Sequence, residues 1–329
     1  MKLSLLIPTH RSATTIERTL GAAVRQRHRP LEICVYDEAS DDGTRDLVRR
    51  GLAEAERRGI EVDFACSDEN SGPVRAWRVP LHRAGGEWCC FVWADDVLGD
   101  DFGERMMAGA ERAAAAGRKL VFSSAVVEIG GTTAPKYSDD RGLLTPIEYS
   151  LGIFLRRYSL NQVNGVYETA AAREVFDRHV DFDNPRGYDY NRYPYGNDVG
   201  FLSELAAAGG GVEVLGERLV TLVLSGHSMS RRALATHVWQ LRWQYTFNFL
   251  RVWRWWAEAG VAGADRLVAM ARRRLALCDL LLPGGGRRRR TPATAAAALG
   301  AVVDYLRWDY ERRPTDLGLY RARVAELAA

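Results

Sequence analysis

Cysteine is scarce in this chain and never falls in a ligand pattern. Cys34, Cys66, Cys89, Cys90 and Cys278 are the five in 329 residues, with no Cys-x-x-Cys pair and no Cys/His spacing, which argues against structural zinc. Cys34, Cys89 and Cys90 lie inside apolar runs, as small buried residues do in a reducing compartment. A surplus of charge is missing as well. Lys and Arg number 45 against 42 Asp and Glu, a formal net charge of +3. The chain is therefore not the basic body of a dedicated nucleic-acid binder, and any basic function must be local. No apolar stretch reaches the roughly 18 residues of a membrane span, and the apolar part of Met1–Pro8 is too short for a signal peptide. The expected location is the cytoplasm, with membrane contact limited to the protein surface. Finally, Pro8-Thr9-His10-Arg11-Ser12-Ala13 contains no glycine. A nucleotidyltransferase that makes activated sugars would be expected to carry a glycine-rich phosphate loop there.

What is present is a globular composition, with 47% hydrophobic and 26% charged residues, enough for one large α/β unit and an appendage. Leu3 to Ile7 is a short apolar run closed by Pro8, the pattern of a strand buried on both faces of a parallel sheet. Thr14 to Arg27 follows at helical spacing, with Thr14 or Thr15 as N-cap. Leu31 to Tyr36 reads as a second buried strand, a helix through Leu47, Leu52 and Ala55 comes next, and Glu61 to Cys66 as a third strand. Val74 to Ala84 reads as a helix, and Trp88 to Trp93 as a fourth strand that delivers Asp95-Asp96 at its carboxyl end. Polar clusters at residues 8–11, 37–44 and 95–96 thus fall where open α/β sheets bind ligands. Adjacent carboxylates repel one another at the end of a buried strand unless a cation or hydrogen bonds offset their charge. Mg²⁺ or Mn²⁺, held by one or two carboxylates plus substrate phosphates, would do so, and a solvated turn is the plainer alternative.

Ile7-Pro8-Thr9-His10, Val35-Tyr36-Asp37-Glu38-Ala39-Ser40-Asp41-Asp42-Gly43-Thr44, Asn70-Ser71-Gly72 and Trp93-Ala94-Asp95-Asp96, taken in order, resemble the family-2 glycosyltransferases of the GT-A fold. The resemblance covers about residues 3 to 230. It implies a Rossmann-like α/β sheet, a nucleotide diphosphate sugar as donor (a UDP-sugar first), a divalent Mn²⁺ or Mg²⁺ ion, and inverting transfer to a saccharide or other hydroxyl acceptor in cell-surface glycan or glycoconjugate biosynthesis. On this resemblance Pro8, Thr9 and Arg11 line the base pocket, and Asp37 and Glu38 lie near the uracil and ribose. Glu38 stands where Asp is commoner, so dTDP or another pyrimidine diphosphate stays open. Arg75 reaches the base or diphosphate, or is an exposed helical arginine. Trp93 replaces an acid found in many members. Asp96 is then the direct metal ligand and Asp95 the sugar or ribose contact.

An inverting transferase needs a base for the acceptor hydroxyl. Gly196-Asn197-Asp198-Val199-Gly200-Phe201, before helical Leu202 to Ala208, resembles the family's acidic motif and makes Asp198 that base. The helix N-terminus lowers the pKa of such a carboxyl, whereas burial and nearby phosphates raise it. Ser225-Gly226-His227-Ser228 resembles the family's His-x-x-Ser segment and makes His227 a second metal or diphosphate ligand, with a surface turn as the alternative. Asp183 to Tyr195 reads as a loop whose Tyr188, Tyr190, Tyr193 and Tyr195 suit a sugar acceptor, or simply pack on the surface. Asn164, with Gly165, forms the acceptor floor by resemblance. A non-catalytic nucleotide-sugar binder would dispense with Asp96 and Asp198, and both are present.

These readings divide the chain into a catalytic unit over 1–232, with a nucleotide-sugar half over 1–100 and an acceptor half over 101–232, and a helical region over 233–329. In the latter, Trp239, Trp243, Phe247, Leu250, Trp253 and Ala257 recur at helical spacing. Such a stripe docks on the catalytic unit, or makes contact with a membrane surface or a second copy. A second helix is expected from Ala264 to Leu282 and a third from Thr294 to Asp309, with the basic loop Arg287–Arg290 between them. Gln240-Leu241-Arg242-Trp243 falls one spacer short of the Gln-x-x-Arg-Trp signature of processive synthases, which leaves transfer of a single sugar.

Overall fold

The computed structural model describes residues 1–135, 137–180, 185–189, 195–224, 238–282 and 317–328. The short apolar runs near the start become strands: β1 (Leu3–Thr9), β2 (Leu31–Glu38) and β4 (Trp88–Phe91) are buried along their whole lengths. They pair in parallel, with Leu3 opposite both Leu31 and Trp88. β3 (Glu61–Ser67) joins outside β2 and is largely half-exposed because it forms the edge. Pleating sends Leu3, Leu5 and Ile7 to one face of the sheet and Leu6 to the other.

Each face is covered by helices whose apolar spacing matches it. On the first, α1 (Ile16–Val24), α2 (Thr44–Arg57) and α4 (Phe102–Ala115) bury Leu20, Leu52 and Met106. On the second, α3 (Pro73–Arg83), α5 (Pro146–Phe154), α6 (Thr169–Val180) and α7 (Asn197–Ala208) bury Trp77, Tyr149, Phe176 and Phe201. The result is a three-layer α/β/α arrangement.

The sheet extends from β4 through β9 (Gly165–Glu168), β6 (Leu120–Ile129) and β10 (Val212–Val223) to β5 (Val97–Leu98). β7 (Thr132–Pro135) and β8 (Gly142–Leu144) pair with β6 and β10 off this path. Since β4 and β6 both run antiparallel to β9, and β10 runs parallel to β6, the carboxyl ends of β4 and β10 share one edge. The turn after β4 meets the end of β10 there. Strand order also reverses about β1, opening a crevice at the same edge.

The expected aromatic stripe is docked only in its second half. α8 (Val238–Glu258) places Leu250 and Trp253 of the stripe, with Phe249, Val252 and Trp256 beside them, in the core shared by α5 and α7, while Trp239, Trp243 and Phe247 pack in a separate cluster. Trp253 Nε1 donates to Ser150 Oγ at 2.9 Å, and the Phe154 ring lies 5.0 Å from both Phe249 and Trp253. Farther along, Trp243 packs with Cys278 and Leu282 at the end of α9 (Ala264–Leu281). α10 (Leu317–Ala328) is pinned by buried Tyr320, whose hydroxyl donates to the Glu148 carbonyl. The expected helix over Thr294–Asp309, the Arg287–Arg290 loop and the 232/233 division all lie outside the described residues. Among the described residues no helix is long and apolar enough to cross a membrane.

Candidate active site

Three loops at the carboxyl ends of β1, β2 and β3 are laced together by polar side chains. Asp37 is completely buried, and its carboxylate is spent within the chain. It accepts from Ser40 Oγ at 2.5 Å and from Arg45 Nε at 2.6 Å. Asp37, expected near the nucleotide, braces the loop that would surround it. Glu38 is also buried and accepts the Ser71 N–H at 2.9 Å, which fastens the Asn70–Gly72 turn to the end of β2. Burial raises the pKa of this carboxyl, and the N–H groups of Ser71 and Gly72, then His10 and Arg75, only partly oppose the rise. Pro8 and Thr9 are covered strand residues, and Thr9 Oγ1 is buried without a partner.

His10, Asn70 and Arg75 are exposed beside these loops. His10 Nδ1 donates to the Glu38 carbonyl and Nε2 accepts from Asn70 Nδ2 at 3.2 Å, a pairing met by the tautomer protonated on Nδ1. Arg75 Nη1 donates to Ser71 Oγ at 2.9 Å, with its guanidinium otherwise at the surface. Arg11 holds a left-handed backbone (φ 47) and pairs with exposed Asp41 at 2.8 Å. His10 was legible only as part of a motif. Its bridging role depends on two loops distant in sequence.

The fourth strand ends sooner than the apolar run suggests. Val92 N–H still bonds to Leu6, and then Asp96 N–H closes a turn onto the Trp93 carbonyl at 3.0 Å. Asp96 is buried and turned inward: Oδ1 accepts the Val223 N–H at 3.0 Å and Oδ2 accepts from Asn161 Nδ2 at 3.2 Å. Asn161 Oδ1 in turn receives Trp93 Nε1 at 2.5 Å. Asp95 is partly exposed at the same turn. Asn164 is fully buried and donates to the Ser124 carbonyl at 3.3 Å. The amide that reaches Asp96 is Asn161, three residues earlier. It was missed because an Asn before a short 3₁₀ turn reads simply as a cap, a role it also fills toward Val163.

Two adjacent carboxylates on one turn fit a cation that takes its other ligands from phosphate and water. Among the described residues no group of three or more His, Cys, Asp or Glu converges. A site here would be open rather than closed. His227 lies outside the described residues.

Asp198 sits in the first turn of α7, one residue past the left-handed Gly196 and Asn197 that start the helix. Because α7 turns directly into β10, its N-terminus lies at the edge where β10 ends. Aromatic contacts tie the two places together: Trp93 stacks on Phe91 at 5.7 Å, and Phe91 meets Phe201 of α7 at 6.0 Å. The Asp198 carboxyl keeps some surface, yet desolvation raises its pKa to about 7, against the opposing hydrogen bonds from Val199 N–H and the Tyr245 hydroxyl. Burial outweighs the helix N-terminus here.

Of the loop tyrosines, Tyr195 is near enough to Tyr245 to interact with it electrostatically. Tyr188 packs edge-on against Trp243 at 5.6 Å. Trp243 and Tyr245 are two residues apart, about 200° around a helix, so Tyr188 covers a different side of α8. Tyr190 and Tyr193 lie outside the described residues.

The sequence model of glycosyl transferase family 2 matches residues 4–170, half of the chain. A GalNAc(5)-diNAcBac-PP-undecaprenol beta-1,3-glucosyltransferase of Campylobacter jejuni is 28% identical over 154 residues, 47% of each chain. The chain spans less than half the length of the curated relatives it matches. Among solved structures, Staphylococcus aureus TarS 1-349 in complex with UDP-GlcNAc aligns with 94% of this chain and 81% of its own, at 16% identity and TM-score 0.58. The mannosyltransferase PcManGT of Pyrobaculum calidifontis, in complex with GDP-Man and Mn2+, covers 98% of this chain and 85% of its own at 18% identity and TM-score 0.50. Both likenesses are of fold.

Proposed function

The chain belongs to glycosyl transferase family 2, and from that membership we propose that it is an inverting, metal-dependent glycosyltransferase moving one sugar from a nucleotide diphosphate donor to a hydroxyl acceptor. The observation that carries the reading is Asp198: a desolvated carboxyl of pKa about 7, at the head of a helix, on the sheet edge that also presents Asp95 and Asp96.

The donor's nucleoside fits the crevice between His10, Asn70 and Arg75, over the loops braced by Asp37 and Glu38. Fold neighbours with bound UDP-GlcNAc and with bound GDP-Man support a nucleotide-sugar donor in general. The choice of a pyrimidine base, and of UDP first, rests on the residues at 9, 37 and 38. Mn²⁺ or Mg²⁺, when held at the aspartate turn, would neutralise charge gathering on the departing diphosphate. The partly exposed Asp95 would share that ion with Asp96, whose carboxylate is held in place by the Val223 N–H and the Asn161 amide.

Asp198 removes the acceptor hydroxyl's proton as that oxygen bonds to the anomeric carbon. The bond from that carbon to the diphosphate breaks, its electron pair leaves with the diphosphate, and the configuration inverts. Tyr195 and the loop before α7 would line the acceptor side. Residues 1–232 then form the catalytic unit, in the cytoplasm and at most peripheral to a membrane, supplying cell-surface glycan or glycoconjugate synthesis. Screening nucleotide sugars for thermal stabilisation with and without Mn²⁺, then determining the product's anomeric configuration by NMR, tests the proposal. A product that retains the donor's configuration would overturn the one-step mechanism.

A further inference from the structure

The helix carrying the aromatic stripe does more than cover the catalytic sheet. α8 lies directly on the turn that precedes Asp198. A Cβ added to Gly196, itself at φ +91, would stand 3.0 Å from Tyr245 Cα, 3.1 Å from the Gln244 carbonyl oxygen and 2.9 Å from Asn248 Nδ2. Only glycine permits this approach, through both its backbone conformation and its missing side chain. The contact holds the α8 backbone close over the start of α7, and from that seat the Tyr245 hydroxyl comes within reach of the Asp198 carboxyl.

The seat is rigid on both sides. Ser150 Oγ lies 3.0 Å from Ser203 Oγ of α7 and accepts Trp253 Nε1 of α8, so one hydroxyl joins both helices. It is also not built for stability alone. Gln244 is fully buried beside the turn with neither amide atom partnered, and Asn197 Oδ1 is likewise unpartnered. Such groups cost stability, and local costs of this kind gather at functional sites.

We propose that Tyr245 is the positioning residue of Asp198, its phenol fixing the carboxylate's orientation toward the acceptor, so that the C-terminal helical region completes the catalytic site. The proposal rests on the reading of Asp198 as the base. Desolvation, followed by the Asp198 charge and then Tyr137 and Tyr195, pushes the Tyr245 hydroxyl well above its ordinary pKa, so it remains a proton donor. Tyr149 of α5 and Tyr167 of β9 also interact with Asp198 and are likewise pushed far up by burial. These three phenols therefore stay neutral near pH 7.

Tyr245→Phe removes one oxygen and keeps the ring. The carboxyl should lose a hydrogen bond that favours its ionised form, so its titration midpoint should rise. Carboxyl ¹³C NMR of Asp-labelled protein, with the Asp198 signal assigned by its loss in Asp198→Asn, reads that midpoint without reference to turnover. A rise of about half a pH unit or more is expected. The acid limb of kcat/KM should move up by the same amount, with kcat lowered several-fold and UDP affinity unchanged. A midpoint unmoved by Tyr245→Phe overturns the proposal. Near-normal transfer by Asp198→Asn would instead remove the base reading, and a catalytic role for Tyr245 with it, whatever the midpoint does.

Discussion

Asp96 accepts the backbone N–H of Val223 at 3.0 Å across 127 residues of sequence. This single bond joins the turn after β4 to the last residue of β10. With Asn161 on the other oxygen, Asp96 ties this edge together, and Asp95 beside it is partly exposed.

The two aspartates should therefore fail differently. Asp95→Asn should lose the Mn²⁺-dependent part of nucleoside diphosphate binding. Asp96→Ala should lose that binding and also destabilise the protein, because the partly buried Val223 N–H and Asn161 amide lose their acceptor, each at up to about 1–3 kcal/mol. Calorimetry and thermal melts on both variants separate the cases. Metal-dependent binding that survives Asp95→Asn unchanged would return the ligand role to Asp96 alone.

The donor loops make a second prediction. Glu38 holds the Asn70–Gly72 turn through the Ser71 N–H, so Glu38→Ala should loosen the turn and weaken nucleotide binding several-fold while the sheet stays folded. In the parent, UDP or dTDP should bind more tightly than ADP or GDP by isothermal titration. A purine preference would overturn the base assignment.

Much of this was legible in the order of residues because burial on both faces forces near-continuous apolar runs, as in β1, β2 and β4, and each run ends where its polar cluster begins. Local spacing could place Asp95, Asp96 and Asp198, but not their partners. Asn161 and Tyr245 act through contacts spanning 65 residues for the Asp96–Asn161 bond and two helices for the Tyr245–Asp198 bond, and neither residue type announces itself. Tyr245 lies two residues from both Trp243 and Phe247, among aromatics whose periodicity signals packing, so the stripe concealed it. Asp37 shows the reverse. The motif that marked it as a nucleotide contact equally describes a carboxylate bracing its own loop.

Wild-type turnover should carry the signature of a desolvated base. Since Asp198 must be ionised to accept a proton, and burial has raised its pKa to about 7, log kcat/KM should fall with unit slope below roughly that pH. Activity that stays level down to pH 5 would assign the proton transfer to another group.

Replacing the base should trade activity for stability. Asp198→Asn keeps the shape but cannot take the acceptor proton, so turnover should drop by roughly 10²- to 10⁴-fold, with donor binding little changed. Stability should move the other way. The folded carboxyl titrates at about 7, up from its ordinary 3.8, so between those values the folded state holds a proton that the unfolded state releases. Stability therefore declines as pH rises through this window and stays reduced above it. The ceiling on that penalty is about 4 kcal/mol, taking about 1.4 kcal/mol per pH unit. Asn carries no charge to desolvate, and the variant should melt higher than the parent at pH 8 and nearly with it at pH 4. Melting curves at those two pH values, run beside transfer assays, distinguish a desolvated catalytic carboxylate from a helix-capping one. A cap would lose stability on the same substitution at pH 8, and that result would remove Asp198 from the mechanism.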